Sequence, residues 1–88
     1  MEENTINAIA NSVRIKLLCC LTEGSRNVEE LIQTCGLAQS AVSQHLAKLK
    51  KAGVVRTKRK GRFIYYSLAN KKTGDVALIL KNYLKEVN

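Results

Sequence analysis

Ser40, Ser43, Gln44, Ala47, Lys48 and Lys51 recur at steps of three and four residues, so a helix over this stretch would carry them on one face. The hydroxyls and the carboxamide can exchange hydrogen bonds with a polar partner, and the ammonium groups can neutralise an anionic one. A second basic group, Lys58, Arg59, Lys60 and Arg62, surrounds Gly61. Neither group is equipped to break bonds. His45 is the only histidine, which excludes a multi-histidine metal centre. Ser43, Gln44 and His45 are adjacent, and neighbours on a helix point in different directions, so they form no fragment of a triad. No paired carboxylates, no nucleophile beside a base and no phosphate-cradling glycine loop are present. The expectation is a binding protein rather than an enzyme, without a cofactor.

The formal net charge is +8 over 88 residues, which points to a polyanionic partner. Its distribution says more than its sum. From Leu31 through Gly74 there is no Asp or Glu, while Lys48, Lys50, Lys51, Arg56, Lys58, Arg59, Lys60, Arg62, Lys71 and Lys72 all fall there. The flanks hold all seven acidic residues and are slightly acidic. A membrane surface would call for a basic helix with an apolar insertion face. Here the cluster surrounds a turn between strands, and no apolar run is long enough to span a bilayer. The polar, acidic start of the chain (Met1 to Asn4) is unlike a secretory signal, so a cytoplasmic location is expected.

The elements that must position these residues follow from periodicity, and they make one domain over 1–88. Ile6, Ile9 and Ala10 place a short helix near 4–11. Ser12 is the expected N-cap of a second helix, Val13 to Thr22, striped by Val13, Leu17, Leu18 and Leu21 and stopped by Gly24. Asn27 with Glu30 reads as a capping box for a third helix, whose inner face is Val28, Leu31, Ile32 and Cys35. Gly36-Leu37-Ala38 forms a tight connection to a fourth helix, Gln39 to Ala52, with Val42, Leu46 and Leu49 inward. Ala38 stands where a Ser or Asp cap would be usual, a role Ser40 would take if this helix began later. Val54 to Lys60 and Arg62 to Leu68 read as strands around Gly61, with Ile64, Tyr66 and Leu68 on one face and Tyr65 outward. A last helix, 73–87, carries Val76, Ile79, Leu80, Tyr83, Leu84 and Val87 as an apolar stripe. That stripe could cover the chain's own core or the same face of a second copy.

Two helices joined by a short glycine turn and followed by a basic hairpin have a physical logic on duplex DNA. The second helix fits the major groove, about 12 Å wide, with its first residues at base edges. Gln39, Ser40, Ser43 and Gln44 start that helix, His45 lies between its polar and buried faces, and Lys48 and Lys51 further along suit phosphates. Lys58, Arg59, Lys60 and Arg62 would reach neighbouring phosphates or the minor groove and gain affinity by releasing counterions. The runs Arg14-Ile15-Lys16-Leu17-Leu18, Val28-Glu29-Glu30-Leu31, Gln39-Ser40-Ala41-Val42-Ser43-Gln44-His45-Leu46-Ala47-Lys48-Leu49, Ala52-Gly53-Val54-Val55 and Ile64-Tyr65-Tyr66-Ser67-Leu68 resemble the ArsR/SmtB repressors. The resemblance implies a winged helix-turn-helix fold of order α-α-α-α-β-β-α, with the helix-turn-helix at 27–53 and the wing at 54–68. It also implies a homodimeric transcriptional repressor on an inverted-repeat operator. The dimer would form through the first and last helices, here Ile6, Ile9, Ile79, Tyr83, Leu84 and Val87. A non-specific architectural binder using the same charge, and a winged helix that has lost DNA for a protein partner, are the competing readings.

Metal-sensing members of that family carry Cys-x-Cys near the first helix of the motif, or Asp and His on the last helix. Val28-Glu29-Glu30-Leu31-Ile32 has no cysteine, and the last helix offers only Asp75 and Glu86, so no metal is expected. Cys19 falls where thiol-sensing members place a cysteine, but their second one, in the last helix, is missing here. Cys20 or Cys35 would have to act instead. The alternative is that Cys19, Cys20 and Cys35 are small buried apolar residues.

Overall fold

The computed structural model describes the backbone of residues 3–87 and the side chains of residues 5–85. The helices are α1 (Glu3–Ile9), α2 (Ser12–Cys20), α3 (Val28–Cys35), α4 (Gln39–Lys51) and α5 (Lys71–Val87), and the strands are β1 (Arg26–Asn27), β2 (Val55–Lys60) and β3 (Phe63–Leu68). A single 3₁₀ turn, Leu21–Glu23, follows α2.

Local chemistry sets most boundaries. Asn11, not Ser12, caps α2: its Oδ1 accepts from the N–H groups of Val13 at 2.9 Å and Arg14 at 3.1 Å. Asn is as good a cap as Ser, and its placement starts the helix one residue earlier than the apolar spacing suggested. The capping box on α3 is complete. Glu30 N–H donates to Asn27 Oδ1 at 2.9 Å and Asn27 N–H donates to Glu30 Oε1 at 3.0 Å. Gly36 closes α3 with φ 68°, and its N–H donates to Ile32 O at 2.8 Å. Helix α5 begins two residues before the expected Thr73, because Asn70 Oδ1 accepts from Lys72 N–H at 2.8 Å.

The sheet has three antiparallel strands in the order β1-β3-β2. β2 and β3 pair from Val55 opposite Leu68 to Lys60 opposite Phe63, leaving Gly61 and Arg62 as a two-residue loop. Gly61 takes φ 61° at the first loop position, where a turn matched to strand twist needs glycine. The two-residue β1 pairs Arg26 with Tyr66 and Asn27 with Tyr65. It thereby ties the start of α3 to the hairpin.

One core holds these elements together. Leu17 and Leu18 of α2, Leu31 of α3, and Val42, Leu46 and Leu49 of α4 are fully buried. Tyr66 and Leu68 of β3 and Leu80 and Leu84 of α5 pack against the same cluster. Ile64, expected on the same face as Tyr66 and Leu68, lies towards the tip of the hairpin and is exposed.

Gly74 lets α5 approach its neighbours. A Cβ there would stand 2.8 Å from Leu68 Cδ1 and 2.9 Å from Thr22 Cγ2. Alanine in a helix interior normally gains about 1 kcal/mol over glycine, whereas overpacking costs about 1–3 kcal/mol. Because the Thr22 side chain is β-branched and stiff, the steric cost exceeds the gain. Gly74→Ala should therefore lower stability in a urea melt, and a more stable variant would contradict the close packing.

Candidate nucleic-acid interface

Helix α4 presents two unlike faces. Val42, Leu46 and Leu49 are buried, while Gln39, Ser40, Ser43, Gln44, Ala47, Lys48 and Lys51 are exposed. The helix starts at Gln39, so Ser40 lies inside its first turn and does not cap it. Ala38 at the N-cap offers no side-chain hydrogen bond, which leaves the first-turn N–H groups of α4 without a side-chain partner. Lys48, Lys50 and Lys51 occupy the last turn, where cations complement the helix dipole.

The hairpin carries the second cationic group. Arg56, Lys58, Arg59, Lys60 and Arg62 are all exposed. Two of them rest on outward aromatic rings of β3, which the sequence pattern did not reveal. Lys60 Nζ lies 5.7 Å from the Tyr65 ring centroid, and Arg62 Cζ lies 4.9 Å from that of Phe63. The two rings meet edge to face at 6.5 Å. Arg59 Nε donates to Gly61 O at 3.2 Å. These contacts hold the cations near the tip without neutralising them, since the one described salt bridge, Arg26 with Glu23 at 3.1 Å, lies elsewhere. The Gly61–Arg62 loop and the start of α4 flank a groove of about 350 Å³, which Gln39 lines on one side and Arg62 and Phe63 on the other.

Arg14 links α4 to the first helix. Arg14 is only 9% exposed. Its Nε donates to Ala8 O, its Nη2 to Asn7 O at 3.1 Å, and its Nη1 to His45 Nδ1 at 3.2 Å. The carbonyls belong to the end of α1, where a cation satisfies groups the helix cannot. Guanidinium has no acceptor, so Nδ1 must accept and the neutral His45 ring carries its proton on Nε2. Partial burial, Arg14 and Lys48 all push the His45 pKa below its ordinary value.

The α5 stripe divides. Leu80 and Leu84 pack inward, while Ile79 is 68% and Tyr83 60% exposed. Ile6 on α1 is 51% exposed, but Ile9 is 4% exposed and belongs to the protomer's own core. Val87 ends α5, and its side chain lies outside the described residues. Cys19 is buried, Cys35 is buried and Cys20 is half-buried. Among the described residues no cluster of three His, Cys, Asp or Glu side chains could hold a metal, and no helix is long and apolar enough to cross a membrane.

The family model for the bacterial regulatory protein arsR family matches residues 11–57, just over half of the chain and all of α2, α3 and α4. The chain belongs to the ArsR family. Its relatives are transcriptional regulators, not enzymes. It is 37% identical to the transcriptional activator HlyU of Vibrio cholerae over 80% of this chain and 70% of that protein. It is 36% identical to the biofilm growth-associated repressor of Xylella fastidiosa over 83% of this chain and 64% of that protein. The homodimeric winged helix-turn-helix DNA-binding domain of Mb0332 from Mycobacterium bovis superposes with a TM-score of 0.79 and 28% identity, covering 94% of this chain and 77% of that one. This ArsR-family chain is thus a winged helix-turn-helix transcriptional regulator.

The His45 environment has a measurable consequence. The folded state resists protonating His45, so the unfolded chain binds the proton first as pH falls. Stability should be level above about pH 6.5 and decline from there towards pH 5. His45→Gln should flatten that window in pH-dependent chemical melts. An unchanged decline in the variant would show that His45 does not carry it.

Proposed function

We propose that the protein is a homodimeric repressor that acts in the cytoplasm on an inverted-repeat operator in double-stranded DNA. The observation that carries this reading is the face of α4, whose exposed Ser40, Ser43 and Gln44 precede exposed Lys48 and Lys51 over a fully buried opposite side. Such a helix enters the major groove with Gln39, Ser40, Ser43 and Gln44 at base edges, and the Nε2–H of His45 is a donor beside them. Lys48 and Lys51 steady it on phosphates. The uncapped first turn of α4 supplies backbone N–H groups of the kind that bind phosphate. Lys58, Arg59, Lys60 and Arg62 of the wing engage the flanking backbone.

Dimerisation is supported by Ile6, Ile79 and Tyr83, large apolar side chains left exposed on α1 and α5, and by the homodimeric state of the Mycobacterium bovis domain. Ile9 and Leu84 back this surface from within the protomer. Two α4 helices related by a twofold axis would read half-sites about 34 Å apart, one turn of the duplex. A dimer seated there competes with polymerase for the promoter, hence repression. No metal enters this scheme.

Gln44→Ala should lower affinity for a selected duplex by roughly 10-fold to 100-fold while leaving a scrambled duplex almost unaffected. Lys60→Ala should weaken both alike and reduce the slope of log affinity against log salt by about 1. Equal losses on both duplexes for Gln44→Ala, measured by fluorescence anisotropy, would favour an architectural binder instead.

A further inference from the structure

Cys20 closes α2 and Cys35 closes α3, and their Sγ atoms lie 2.7 Å apart. That is inside the ordinary contact distance of two sulfurs and only about 0.7 Å longer than a disulfide bond. The third thiol, Cys19, points elsewhere. It is buried, and the cation acting on it is Lys81 of α5. The resemblance noted from sequence drew attention to Cys19 and to a cysteine on the last helix that this chain does not have. The structure pairs the other two thiols, on different helices and 15 positions apart.

We infer that Cys20 and Cys35 are a disulfide-forming pair, oxidised within one protomer by a hydroperoxide while Cys19 stays a thiol. Cys20 is the half-exposed member and meets the oxidant. Its thiolate attacks the terminal oxygen of the hydroperoxide. The O–O bond breaks, the alkoxide leaves and takes up a proton, and Cys20 becomes a sulfenic acid. Cys35 sulfur then attacks Sγ of Cys20. The S–S bond forms, the S–O bond breaks, and hydroxide departs with the Cys35 proton as water. Two thiols and one hydroperoxide thus give one disulfide, one alcohol and one water. Burial and the neighbouring Cys20 push the Cys35 pKa up to about 12, which suits a resolving thiol that holds its proton until a sulfenic acid stands beside it. Lys16 and Arg26 oppose that rise, and Arg26 Nε lies 3.3 Å from the Cys20 carbonyl oxygen. Two cations therefore stand beside the pair.

The cross-link would close a loop containing β1 and α3, fixing the first helix of the DNA-binding motif against α2. This inference goes beyond the operator reading and is tested without DNA. The reduced full chain is treated with a small excess of hydrogen peroxide, and its free thiols are then counted in denaturant. Of the three thiols one should remain, and the chain should be two hydrogens lighter and unchanged in oligomeric state. Trypsin should release residues 17–26 joined to residues 27–48. Because Cys19 and Cys20 share the first peptide, Cys19→Ser identifies the partner: it should lose both remaining thiols and still yield the joined peptides. Cys20→Ser should yield none. The melting temperature of the oxidised protein should rise by on the order of 10 °C and return on reduction. Three surviving thiols, joined peptides that vanish in Cys19→Ser, or a cross-link found only between protomers would overturn the pairing.

Discussion

Burial of one edge of α4 fixes how the remaining elements are arranged around it. Val42, Leu46 and Leu49 have no exposed surface, and each such side chain contributes about 1.5–3 kcal/mol by leaving water. In a chain of 88 residues those three contribute heavily to the single core. A helix held by its buried edge cannot roll without exposing them, so the opposite face is fixed as well. That fixed face carries Ser40, Ser43, Gln44, Lys48 and Lys51. Base readout needs this rigidity, because discrimination by hydrogen bonds depends on donors and acceptors held in register with the groove.

The same constraint explains how the remaining elements are arranged. The capping box formed by Asn27 and Glu30 starts α3 at a defined point, and Gly36 ends it shortly before α4 begins at Gln39. β1 ties that start to β3, so the hairpin and α3 share a backbone hydrogen-bonded frame. Arg14 performs the corresponding task at the other side. Its buried guanidinium would be costly if unpaired, and it bonds at once to the end of α1 and to His45 of α4. The first helix, whose Ile6 is exposed, is therefore linked through Arg14 of α2 to the helix proposed to read DNA. The concentration of cations from Lys48 to Lys72 without one carboxylate disfavours the compact state through self-repulsion, and a polyanionic partner relieves it.

Much of this was legible in the sequence. The 3.6-residue spacing of Val42, Leu46 and Leu49 identified both faces of α4, and Asn27 with Glu30 marked the start of α3 because a capping box is a local signal. The hairpin was equally plain from Gly61 between β-branched and aromatic runs. Non-local contacts were not legible. β1 is two residues long and exists only because β3 offers a free edge, so no local propensity announces it. Arg14 pairs with carbonyls six and seven residues away and with a ring on another helix. Asn11 competed with Ser12 for the cap of α2, and geometry rather than residue type decided between them. The division of the α5 stripe into inward Leu80 and Leu84 and outward Ile79 and Tyr83 depended on where β3 and α2 lie. The proximity of Cys20 to Cys35 depended likewise on the crossing of α2 and α3.

In the proposed dimer two copies of α4 read two halves of one site. Selecting bound duplexes from a random pool and sequencing them tests it most directly. The expected result is an inverted repeat with half-sites one helical turn apart, bound at least about 1,000-fold more tightly than a scrambled copy at the same salt concentration. Recovered duplexes that share no motif, and bind no more tightly than the scramble, would contradict it.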